Sequence, residues 1–204
     1  MERRELLKFI TAATGVAFVV GDSMLSGCNT GADISVTFSD ADLALLDEIG
    51  EVIIPTTTTP GAKAAEVGKF MKTMVTDCYT PIQRESFMAG IPQLKDACSQ
   101  LNKKEFAACS ADEKKAFLLS LEKAAKEFNA KNDESNNVAR DKANAAGTAF
   151  EAAPPHYYTQ IKQLTLYGYF TSEPGCTKQL RDKPIPGSYD GALPYKIGDH
   201  AFSE

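Results

Sequence analysis

The sequence predicts a mainly α-helical chain: a small bundle of about five helices, followed by an extended C-terminal arm rich in proline and glycine. Three observations point there. Apolar residues recur at three- and four-residue spacing in separate windows between residues 39 and 170, the periodicity of a helix with one buried face. Capping residues and prolines stand at the ends of those windows. Beyond Thr171, Pro174, Gly175, Pro184, Pro186, Gly187, Gly191 and Pro194 come too densely for long regular elements.

The first segment reads as an address rather than as part of the bundle. Arg3 and Arg4 precede an apolar run from Phe9 to Leu25 that Gly21 and Asp22 interrupt. The run is shorter than the roughly 20 apolar residues a spanning helix needs, so residues 1–28 are expected to be a removable export signal. Arg3-Arg4-Glu5-Leu6-Leu7-Lys8 resembles the twin-arginine signals of bacteria, whose pathway carries folded proteins. Leu25-Ser26-Gly27-Cys28 resembles a lipobox, in which Cys28 is acylated and becomes the new first residue. The expectation is a periplasmic protein anchored to a membrane through Cys28, with residues 29–36 as a short polar tether and residues 37–204 as a single domain.

Within that domain, Ser39 can cap a first helix carrying Leu43, Leu46, Ile49, Val52 and Ile53, which Pro55 ends. Pro55-Thr56-Thr57-Thr58-Thr59-Pro60-Gly61 is expected to be a stiff, extended connector, because β-branched residues and prolines disfavour a helical turn. A second helix is expected from about Ala62, with Val67, Phe70, Met71, Met74 and Val75 on its apolar face and Pro81 closing it. A third runs from Ile82 to about Leu101 through Phe87, Ile91, Leu94 and Cys98, with Gly90 and Pro92 expected to kink or split it. Ser110-Ala111-Asp112-Glu113 is a capping box for a fourth helix bearing Phe117, Leu118, Leu121 and Phe128. Asn129 to Ala153 has almost nothing large to bury and reads as a mobile or weakly helical insertion. Pro154 and Pro155 suit the first turn of a buried fifth helix with Tyr158, Ile161, Leu164, Thr165 and Tyr169. The arm spans about residues 171–204.

Composition and motifs restrict the chemistry. A net charge of −5 with no basic stripe excludes a nucleic-acid surface. The two histidines, His156 and His200, are too few for a histidine metal cluster, and no C-x-x-C occurs. No G-x-S-x-G, G-x-G-x-x-G or phosphate-binding loop is present, and His156 at a helix start reads as a capping or surface residue. Catalytic, cofactor and metal residues are therefore expected to be none in this chain. Glu48, Glu51, Glu113 and Glu122 read as solvated residues paired with lysine. With Cys28 assigned to lipid, Cys78, Cys98, Cys109 and Cys176 allow three full pairings, and small buried thiols fit equally well. Of the pairings, Cys98 with Cys109 is the one favoured, since the two flank a helix-to-helix turn.

Two blocks carry a family resemblance. Glu51-Val52-Ile53-Ile54-Pro55, the threonine run, Pro60-Gly61-Ala62-Lys63-Ala64-Ala65 and Val67-Gly68-Lys69-Phe70 form the first. Leu164-Thr165-Leu166-Tyr167-Gly168-Tyr169-Phe170-Thr171-Ser172-Glu173 and Pro186-Gly187-Ser188-Tyr189-Asp190-Gly191-Ala192-Leu193-Pro194-Tyr195 form the second. Together they resemble the gluconate 2-dehydrogenase subunit 3 family, over roughly residues 38–202. The resemblance implies a small helical subunit without flavin or haem, bound to a large FAD-containing oxidoreductase of the glucose-methanol-choline type and escorting it through export. A cytochrome c subunit is a further candidate partner. The chain departs from the family pattern at Thr58, where an acidic residue is common, and at Ala192, where a cysteine is common.

Candidate contacts to the partner are the aromatic, proline and glycine residues of the second block and the arm: Tyr169, Phe170, Pro174, Pro186, Gly187, Tyr189, Gly191, Pro194 and Tyr195. The competing expectation for the arm's rings is that they fold back and complete the core. The alternative function is a stand-alone surface lipoprotein that binds a sugar-like ligand through them.

Overall fold

Three helices start on reciprocal caps; those at Ser39 and Ser110 were legible in the sequence, and the one at Thr80 was not. Ser39 precedes α1 (Asp40–Ile53), Thr80 precedes α3 (Pro81–Asn102) and Ser110 precedes α4 (Ala111–Ala146). In each, the cap hydroxyl accepts the amide of the third helical residue, and the side chain of that residue, Asp42, Gln83 or Glu113, accepts the cap's own amide. Such a cap contributes about 1 kcal/mol by satisfying donors that the helix leaves open. Between them lies α2 (Val67–Thr73), which runs into a π-helical turn, Met74–Cys78. A 3₁₀ turn, Phe106–Ala108, joins α3 to α4. The last long helix is α5 (Tyr157–Phe170), followed by a second π turn, Gly175–Gln179. The description rests on a computed structural model and covers residues 37–183, 187 and 191–203, all within one compact unit, Val36–Glu204. The expected signal with Arg3, Arg4 and Cys28, the tether, and Pro186 and Tyr189 lie outside the described residues.

The core is the sum of the helical stripes. Leu46 and Ile49 of α1, Val67 and Met71 of α2, Phe87, Leu94 and Cys98 of α3, Phe117 of α4 and Ile161 and Tyr169 of α5 are all buried in it. Among the described residues no strand forms, and the end of the arm meets the segment after α5 at one isolated parallel bridge between Arg181 and Phe202. No helix among them is long and apolar enough to cross a membrane.

Several elements differ from the sequence-based expectation, each for a tertiary reason. The second helix begins at Val67 rather than near Ala62, because Ala62 to Glu66 form turns and Glu66 takes a left-handed φ of 51°. Its open end is capped from outside: Asp47 of α1 accepts the Gly68 amide at 2.7 Å. Burial raises the Asp47 pKa, and the Gly68 amide works against that rise.

The third helix is continuous through Gly90 and Pro92. Gly90 marks a close approach instead of a break, since a Cβ there would lie 2.3 Å from that of Tyr157. The two prolines before α5 stand ahead of its cap rather than in its first turn. His156 is the cap, its Nδ1 accepting the Tyr158 amide at 3.2 Å. Its ring sits between Phe128 and Tyr157, and burial holds its pKa below the ordinary value, which keeps Nδ1 free to accept.

The largest departure is α4, which continues without interruption to Ala146 through the stretch expected to be weakly helical. At about 1.5 Å per residue it is roughly 54 Å long, and its last buried residue is Ala125. Beyond that point asparagines replace apolar contacts. Asn129 accepts the His156 amide and donates to Thr159, Asn132 donates to the carbonyls of Ala153 and Pro154, and Asn136 makes a two-way pair with the backbone of Ala153. Positions 129, 132 and 136 share one helical face, so the returning segment is stitched along it.

Replacing both Asn132 and Asn136 by alanine should remove hydrogen bonds worth about 1 kcal/mol each. Hydrogen exchange should then show lost protection for amides from about Ala130 to Ala146, with those from Phe117 to Ala125 unchanged; equal protection in both halves would refute the stitching role.

A candidate partner-binding surface

Glu51 sits in the last turn of α1 and organises the threonine loop. Its Oε1 accepts the Thr56 amide at 2.8 Å and its Oε2 the Lys63 amide at 3.0 Å. Thr56 Oγ1 in turn accepts the Gly61 amide, and the Ala62 amide donates to the Ile54 carbonyl, closing the loop on itself. Gly61 is required by this closure, because a Cβ there would fall 2.5 Å from a Glu51 oxygen. Burial opposes the Glu51 charge, yet hydrogen bonds from Thr56 and Lys63 outweigh it and hold the pKa below its ordinary value.

This corrects two sequence readings. The threonine run is a closed loop rather than an extended connector. Glu51 is held by backbone amides rather than paired with lysine as a solvated surface residue. The signal available was the offset of five residues between Glu51 and Thr56, across a proline that ends the helix. For the other acidic residues the lysine reading holds: Glu48 meets Lys63 and Lys114, Glu113 meets Lys104, and Glu122 meets Lys126 and Lys162.

The second block docks on this loop. Tyr169, fully buried, donates its hydroxyl to the Pro60 carbonyl at 2.7 Å. Thr59 Oγ1 donates to Gln179 Oε1 at 2.7 Å, and the Gln179 carbonyl meets His200 Nδ1. Arg181 exchanges backbone hydrogen bonds with Ala201 and Ser203, and its guanidinium lies 4.7 Å from the Phe202 ring centre. Gln179 thus links the threonine loop, the turn after α5 and the end of the chain.

The residues expected to touch a partner separate on this scaffold. Tyr169 is a core residue at 0 % exposure, so its expected contact role is corrected: the ring packs inside the chain and the hydroxyl is used by Pro60. Phe170, on the same helix, is exposed. Beside it stand Leu166 and Tyr167, which the sequence reading did not single out. Tyr167 is 56 % exposed, with its ring 5.6 Å from that of Phe70. Pro174 is half-buried at the start of the π turn, while Gly187, Gly191, Pro194 and Tyr195 are exposed in the arm. Leu193, Ile197 and Phe202 are exposed there too. Of the described rings expected either to complete the core or to meet a partner, Tyr169 completes the core, while Phe170, Tyr195 and Phe202 do not.

A separate groove of about 430 Å³ lies between α1, α3 and the 3₁₀ turn, lined by Ala41, Ala44, Leu45, Lys95 and Phe106 among others. Its charged walls are already committed, Lys95 to Asp42 and Glu48 to Lys63 and Lys114. No group of three potential metal ligands occurs among the described residues. Chemically, the surface offers apolar rings and a pre-shaped loop, which suits recognition of another protein.

Replacing Glu51 by glutamine keeps the shape and removes the charge together with one of its two acceptor oxygens. After allowing for solvent screening of a half-buried carboxylate, the loss should be about 1 kcal/mol at neutral pH. Because the folded-state pKa is depressed, this stabilisation is present above the ordinary value of 4.5 and is lost as pH falls through the folded value. Urea unfolding of both proteins should show the gap closing on acidification; a constant gap would mean that charge is not what holds the loop.

Comparison with curated proteins and with solved structures yields no match. A family model does match, over residues 40–187, covering α1 through the π turn after α5; it takes in the first block and the Leu164–Glu173 run of the second, which meet at the Pro60–Tyr169 contact, and stops before most of the Pro186–Tyr195 run. Its description is gluconate 2-dehydrogenase subunit 3, and the chain belongs to that family.

Proposed function

We propose that this chain is the non-catalytic small subunit of a periplasmic, FAD-dependent sugar or polyol dehydrogenase complex. It binds and stabilises a large flavoprotein of the glucose-methanol-choline type and escorts it through twin-arginine export. The observation that carries the reading is convergence. Two blocks about a hundred residues apart fold onto one another and leave Leu166, Tyr167 and Phe170 exposed beside them, with Tyr195 and Ile197 in the arm exposed at 75 % and 100 %. Large exposed rings and aliphatic groups on a rigid support are the anchors that protein interfaces use.

Binding to the folded flavoprotein stabilises it by mass action. FAD belongs to that partner, and Arg3 and Arg4 supply the route. An export route for folded cargo suits a companion whose flavin is inserted before transport. Cys28 holds the complex at the membrane through its acyl chains. The sugar-binding alternative has no observation in its favour, since the groove is lined by α1, α3 and the 3₁₀ turn and by none of the arm's aromatics.

Purification from membrane extracts should bring down a flavin-absorbing companion, and replacing Tyr167 and Phe170 together by alanine should weaken that association about thirtyfold. Recovery of this chain alone, or unchanged affinity in the double variant, would count against the reading. In a separate export assay, changing Arg3 and Arg4 to lysine should leave both chains in the cytoplasm; a companion that still reaches the periplasm would remove the escort role.

A further inference from the structure

The four cysteines of the domain are free, and two of them touch. Cys98 in the last turns of α3 and Cys109 at the end of the 3₁₀ turn have their Sγ atoms 3.9 Å apart, the one thiol pair in contact among the described residues. We propose that these two thiols form an intrachain disulfide in the folded protein when a disulfide-bearing oxidant reaches them. The inference stands on this geometry and not on the proposed partner.

The local structure favours that bond. Bringing the sulfurs to the roughly 2 Å of a disulfide needs a movement of about 2 Å, within reach of side-chain rotation. Neither thiol is held by a strong competitor: Cys98 donates to Lys104 O at 3.8 Å and Cys109 to Glu105 O at 3.4 Å. Asn102 Nδ2 points at Cys98 Sγ from 3.6 Å and supplies a donor to its thiolate. Burial pushes the Cys98 thiol up, and it is wholly enclosed, whereas Cys109 is 7 % exposed.

Cys109 therefore reacts first. Its thiolate attacks one sulfur of the oxidant, expelling a thiolate and forming a mixed disulfide. Cys98 then attacks Cys109 Sγ and expels the second thiolate, so the pair loses two electrons and two protons and the oxidant is reduced to two thiols. The bond closes the segment that carries Glu105, Phe106 and Ala107, one wall of the groove against α1.

The test is to incubate the folded full-length chain with oxidised glutathione, block the remaining thiols and map the peptides by mass spectrometry. The expected product is a linked Cys98–Cys109 peptide two hydrogens lighter, with Cys28, Cys78 and Cys176 alkylated. The melting temperature should rise by about 5–10 °C. A C78S/C176S variant should reproduce both results, and C109A should abolish the rise. Full alkylation of Cys98 and Cys109, linkage of either to Cys28, Cys78 or Cys176, or a persistent glutathione adduct on Cys109 would each overturn the proposal.

Discussion

The hydrogen bond from the Tyr169 hydroxyl to the Pro60 carbonyl spans 109 positions of sequence and is the constraint on which the rest of the surface depends. Tyr169 is large and fully buried, so its hydroxyl needs a partner inside the protein. The partner is a backbone carbonyl in the threonine loop, and that carbonyl is in place because Glu51 gathers the loop's amides around one carboxylate. Helix end, loop and α5 therefore hold one another, and the exposed face of α5 inherits a fixed position from contacts made by its buried face.

This arrangement separates two jobs within a short stretch. Leu164, Thr165, Gly168 and Tyr169 point inward, while Leu166, Tyr167 and Phe170 point outward. Apolar residues on both faces of one helix are unusual for a solvated bundle, where the outer face is expected to be polar. Here the outer rings are braced by the chain itself, Tyr167 against Phe70 and Phe170 against Tyr169. A braced ring has less rotamer freedom left to lose when another protein covers it.

The opposite end of the molecule is built on different terms. The distal half of α4 has no buried side chain and is held by amide-to-backbone hydrogen bonds along Asn129, Asn132 and Asn136. Such bonds stabilise only modestly in net terms because water competes for the same groups. The free energy of the fold is thus concentrated among α1, α2, α3, the first half of α4 and α5, and the candidate surface lies on that firm part.

What the sequence determined by itself was local. Helical spacing identified the stripes that became the core, and Ser39, and Ser110 with Glu113, marked helix starts, because caps and periodicity act between residues a few positions apart. Family membership was legible for the same reason, since the motifs that carry it are short runs of neighbouring residues. Only the tertiary structure decided that Gly90 is a contact point within an unbroken helix, that Asp47 caps α2 from another helix, that asparagines carry α4 to Ala146, and that Tyr169 is buried while Tyr167 is exposed. Each of these depends on a partner residue brought close by folding, and the geometry of such pairs is set by packing rather than by any spacing along the chain.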